Sequence, residues 1–126
     1  MKLSTYLAIA GIVTILFGLE FLLVPEFGIK QYGIPTEPHN LMQARTFGAT
    51  LLPYGLIIWL ARGTRDDAAL RAILQGGAVG SLVGVLLNAW AALAGLQNAM
   101  AWSSVVIYAV FLVANLYFLS SPARRA

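Results

Sequence analysis

The chain has 126 residues, 60% of them hydrophobic and 10% charged, against about 25% charged for a soluble globular domain. A mean hydropathy of +0.80 leaves more apolar surface than folding alone can hide from water. This excludes a soluble enzyme, a disordered tail and a nucleic-acid-binding domain. The net charge of +3 comes from eight Lys and Arg against five Asp and Glu, placed at segment ends, so it reports topology before it reports a partner. With no cysteine, disulfides, thiolate metal sites and cysteine nucleophiles are ruled out.

Four apolar segments follow in chain order. The first, 3–24, is broken only by Glu20 and stopped by Pro25. Its length suits a hydrocarbon core of about 30 Å. It is too long for a signal-peptide core, and no small-residue cleavage site follows Phe21, so it is read as a retained span. The stretch from Pro25 to Asn40, with three prolines and two glycines, is expected to be an ordered extended turn. The second span, 41–61, has only sixteen uncharged residues between Arg45 and Arg62, which places Arg45 inside the helix near one membrane face. No charge occurs from Ala72 to Ala123, a run too long for one crossing, and Gly95-Leu-Gln-Asn-Ala divides it into spans at 70–95 and 99–120. The expected fold is all-α, an integral membrane bundle of four transmembrane helices running up-down-up-down in a single domain.

Helix-start signals agree. Asn40 with Gln43, and Thr64 with Asp67, have capping-box spacing, while Gly63 and Gly95 suit the left-handed residue that closes a helix and Ser120-Ser121-Pro122 ends the last one. Lys2, Arg62, Arg65, Arg71, Arg124 and Arg125 fall on one side and only Lys30 and Arg45 on the other. By the retention of basic residues inside, both termini are cytoplasmic and the protein belongs to the bacterial inner (plasma) membrane. Tyr6, Trp59 and Tyr117 are expected at the inner interface, and Trp90 and Trp102 at the outer one.

Polar groups at membrane depth mark function or assembly. Glu20, in the outer part of the first span, and Arg45, at the start of the second, invite an ion pair that locks the two helices together. The third span carries Gly77, Gly80, Ser81, Gly84, Asn88, Ala91 and Gly95 on one stripe, a face for close helix packing. Ala101, Ser104, Tyr108 and Asn115 share a weakly polar face of the fourth span. Pro53 should bend the second span beside Tyr54 and Gly55. Glu20, Gln43, Arg45, Asn88 and Trp90, with His39 and Trp102, have similar predicted depth and form the candidate ligand cleft. Gly77, Gly80, Gly84 and Asn88 are the candidate packing residues.

The chemical inventory is thin. A lone His39 in a proline-rich loop cannot build a metal site, and no nucleotide-binding or nucleophile-elbow motif occurs, so no metal, cofactor or catalytic residue is expected. Phe17-Gly-Leu-Glu-Phe-Leu-Leu-Val-Pro, Tyr32-Gly-Ile-Pro, Ala44-Arg-Thr-Phe-Gly and Trp59-Leu-Ala-Arg resemble the small bacterial four-helix membrane proteins of the DoxX-like kind. The resemblance covers the first half of the chain. It implies the four-span fold without one activity, some relatives being accessories of membrane redox systems. Small multidrug-resistance transporters also carry a Glu in the first of four spans, but deeper and in a different context than Glu20. The expected function is a non-enzymatic accessory, assembly or structural subunit, in contact with membrane lipid and packing through the third helix in a homo-oligomer or larger membrane complex. The alternative is a binder or transporter of a small lipophilic molecule, such as a lipid, quinone or hydrophobic amine, near Glu20 and Arg45.

Overall fold

The computed structural model describes residues 1–121 and is all-helical among them. Arg124 and Arg125 lie outside the described residues. Helix α1 spans Leu3–Leu23, α2 Pro25–Lys30, α3 Pro38–Leu60, α4 Asp67–Leu93 and α5 Ala101–Ser120, with one 3-10 turn at Ala61–Gly63. Four of these, α1, α3, α4 and α5, are long and apolar enough to cross a membrane.

The short helix α2 replaces part of the expected extended turn. Its signals are local: Pro25 at the first position, where the missing N–H costs nothing, Glu26 in the first turn and Lys30 in the last. The caps also differ from expectation. Helix α3 begins at Pro38, so Asn40 lies within its first turn and donates to the Pro35 carbonyl at 2.8 Å. Asp66 caps α4, accepting from the Ala68 and Ala69 N–H groups at 2.9 and 3.2 Å, and Thr64 instead accepts from the Asp66 N–H. Gly95 closes α4 with φ +72°, and Gly33 is the other left-handed glycine. Gly63 is not left-handed, because the 3-10 turn ends the helix by tightening it.

The helices associate in two antiparallel pairs. Helix α1 packs along α3, and α4 along α5, while α1 touches α5 only lightly and α3 and α4 do not pack along their length. The α1–α3 seam is a backbone-to-backbone approach. A Cβ on Gly48 would stand 2.5 Å from the Leu22 nitrogen and 2.6 Å from the Gly18 carbonyl oxygen, and one on Gly11 would stand 2.7 Å from the Trp59 Cβ. Small residues allow this, and in an apolar solvent such packing carries helix association. In the second pair, Cβ atoms on Gly77 and Gly84 would meet Asn115 and the Tyr108 ring at 2.9 and 2.5 Å.

The pairs are joined at both ends. At the end holding Lys2 and Arg62, termed the terminal end, Leu3, Tyr6, Leu7, Ala10, Ile58, Leu70, Leu74 and Phe118 form one buried cluster. Tyr6 is therefore turned inward, its ring stacked 5.3 Å from that of Phe118, rather than set at the periphery like the exposed Tyr117. At the opposite, loop end, the Tyr32 hydroxyl and Ser104 Oγ hydrogen-bond at 2.9 Å. There the Asn98 N–H donates to the Tyr32 carbonyl and its side-chain amide to the Gln31 carbonyl, both at 2.9 Å. Between the two joints, the pairs stand apart.

Candidate functional site

The space between the pairs is a cavity of about 730 Å³, within the range of roughly 300–1,000 Å³ that small-molecule sites occupy. Its walls follow from the helix pairing. Helix α1 supplies Tyr6, Leu7, Ala10, Val13, Thr14 and Phe17, and α5 supplies Ser104, Ile107, Tyr108, Phe111 and Asn115; all of these are buried or half-buried and form the floor. The exposed lining residues lie on α3 and α4, at Gln43, Phe47, Tyr54, Gly76, Gly80, Val83 and Leu87. The cavity therefore opens sideways, between α3 and α4, where no helix closes it.

Polar groups collect toward the loop end, where Tyr32, Asn40, Gln43, Asn88, Gln97 and Ser104 line the wall. Asn88 returns its amide N–H₂ to the Gly84 carbonyl of its own helix at 2.8 Å, leaving its carbonyl oxygen uncommitted. Gln97 Oε1 is fully buried and receives no hydrogen bond. Deeper in, Ser81, Tyr54, Tyr108 and Asn115 add single polar groups to an otherwise aliphatic and aromatic surface. Among the described residues, no charged side chain lines the cavity.

The residues singled out from the sequence divide. Gln43 and Asn88 lie on the cavity wall together with Gly80 and Gly84. Glu20, Arg45 and Trp90 do not. Among the described residues, Glu20 and Arg45 form no ion pair. The Glu20 carboxylate instead accepts from the Gln31 amide at 2.6 Å, because α2 and the turn after it bring Gln31 back over the end of α1. Arg45 is exposed beside Leu23, Glu26, Phe27 and Lys30, in a shallow second recess on the far side of α3. Trp90 is 62% exposed on the outward face of α4, two residues on from Asn88 and so roughly 160° around the helix from it. His39 is also exposed, its Nε2 3.4 Å from a Glu37 carboxylate oxygen, and no group of three acids or histidines is placed to hold a metal among the described residues.

Sequence reasoning found the polar face of α5, since Ser104, Tyr108 and Asn115 all line the cavity. It missed Gln97 and Tyr32, which are loop residues whose position depends on the hydrogen bonds between the two connections. The one available signal for Gln97 was a polar amide in the middle of a long uncharged run. No family model, no curated protein and no solved structure matches this chain.

Proposed function

We propose that this is a multi-pass membrane protein that binds or carries a small lipophilic molecule in the cleft between its two helix pairs. The observation that carries the reading is the sideways mouth between α3 and α4. In a bilayer that mouth faces acyl chains, so a lipophilic ligand reaches the site without crossing water. The setting is supported by the outward surfaces of the four long helices, where Leu16, Ile57, Leu86 and Val113 are 60, 57, 61 and 67% exposed. Such surfaces suit lipid and would be costly in water.

The proposed topology is up-down-up-down in the bacterial plasma membrane, with the terminal end cytoplasmic. Lys2 and Arg62 lie at that end, with Arg65 in the connection that follows and Arg71 near the start of α4. The chain lacks cysteine, so introduced cysteines test this directly. Thr36→Cys is expected to react with an impermeant maleimide on intact cells, and Thr64→Cys only after permeabilisation; the reverse pattern overturns the orientation.

A purely structural accessory, assembled through the glycines of α4, has less support. Gly77 and Gly84 are already occupied by Asn115 and Tyr108 of the same chain. Likewise, the DoxX-like resemblance implies four spans and leaves the activity open. The deciding experiment is a thermal-shift screen of the detergent-purified protein against a lipophilic panel, repeated with Gly80→Phe, whose ring would occupy the cleft. Stabilisation by at least one panel member that Gly80→Phe abolishes is the expected result. No shift with any member would overturn the reading.

A further inference from the structure

The wall of the cavity is selective about the head of whatever enters it. Its lining includes no Asp, Glu, Lys, Arg or His among the described residues. An ammonium, carboxylate or phosphate drawn into the cleft would leave water without finding a counter-charge, and its desolvation would go uncompensated. The charges nearest in sequence are turned elsewhere: Glu20 is held by Gln31, and Arg45, Glu26 and Lys30 share the shallow recess on the other side of α3. An uncharged head meets no such penalty.

The hydrogen-bonding groups at the loop end narrow the chemistry further. Gln97 Oε1 is buried, lines the cavity and receives no hydrogen bond from the chain, and a buried acceptor without a donor is costly. The Asn88 amide nitrogen is committed to Gly84, so its oxygen is also left to accept. The connection that carries Gln97 is held in place next door, by Asn98 on Gln31 and Tyr32. The buried Gln97 acceptor calls for a donor. A hydroxyl supplies one and also accepts, so it satisfies the Gln97 amide whichever way that amide is turned. Away from this end the lining becomes aliphatic and aromatic, with Leu51, Ile58, Ile73, Ile107 and Phe111, which suits a hydrocarbon tail.

We propose that the cavity takes an uncharged, hydroxyl-headed amphipath, a long-chain alcohol or neutral glyceride, with its hydroxyl at Gln97 and its tail lying toward Ile73 and Phe111. This rests on the cavity being a ligand site and adds the class of ligand.

The test uses four probes with an eighteen-carbon chain and different heads: oleyl alcohol, oleylamine, oleate and 1-octadecene. Each is titrated at pH 8 into the full-length protein in a neutral detergent, with dissociation constants from thermal shift and bound probe counted by mass spectrometry after gel filtration. Oleyl alcohol is expected to bind about tenfold more tightly than the other three, the value of one well-made buried hydrogen bond. Gln97→Leu is expected to bring the alcohol within about twofold of octadecene. Gln97→Glu, which keeps the side chain polar and its length unchanged, should move the preference to oleylamine.

Oleylamine or oleate binding the native protein as tightly as the alcohol overturns the head chemistry and leaves the ligand site standing. Octadecene binding as tightly does the same. An alcohol preference untouched by both Gln97 variants overturns the placement of the head. Binding of none of the four, with a second copy cross-linked across the mouth, overturns the site itself and this inference with it.

Discussion

Along the seam between α1 and α3, a Cβ added to Gly48 would stand 2.5 Å from a backbone nitrogen, whereas on the α4 wall of the cavity a Cβ added to Gly80 would meet nothing within 4 Å. Both glycines lie in long apolar helices, and from composition they are the same signal. In the first region the missing side chain lets two backbones approach and leaves no space; in the second it leaves space that no neighbour fills. The difference comes from the pairing of the helices. The α1–α3 seam consumes its glycines, while α4 spends Gly77 and Gly84 on α5 and turns Gly80 to the gap.

The comparison can be broken by adding one methyl group at a time. Gly48→Ala should have the largest effect, a loss of about 3 kcal/mol, because the atoms it meets are backbone and cannot rotate away. Urea or SDS titration of the helical signal in detergent would show it, and an unchanged midpoint would mean that the seam is looser than described. Gly84→Ala should cost less, about 1–2 kcal/mol, since the obstacle is the Tyr108 ring. Displacing that ring into the cleft should also weaken ligand binding, so the same variant is measured by titration of a bound probe. Gly80→Ala should be neutral or stabilising by up to about 1 kcal/mol, through the backbone entropy that glycine loses on folding. A destabilised Gly80→Ala would show that α4 packs where the cavity is drawn.

The four long helices were legible in the sequence because each is a long apolar run bounded by charged, glycine or proline residues. The ends were legible to within a few residues, and the misses have local causes. Pro38 begins α3 ahead of Asn40, and Asp66 outcompetes Thr64 as the cap because its carboxylate reaches two N–H groups at once. The site was legible only in part. Counting residues along a helix gives depth, which grouped Gln43 and Asn88, both on the cavity wall, with Glu20, Arg45 and Trp90, which are not. Angular position around a helix depends on which neighbour it packs against, and that pairing is a property of the assembled bundle. Gln31, which takes the place expected of Arg45 beside Glu20, reaches it only because α2 folds as a helix.

The contacts between Tyr32 and Ser104, and between Asn98 and Gln31, join residues 72 and 67 positions apart. Both helix pairs, by comparison, are made of consecutive long elements and can zip from nearby chain. Contacts between distant residues close longer loops and cost more entropy to make. The cleft is thus the feature of this protein that hangs on its most distant contacts: each pair is held by its own seam, whereas the gap between them is defined only where both end joints are made.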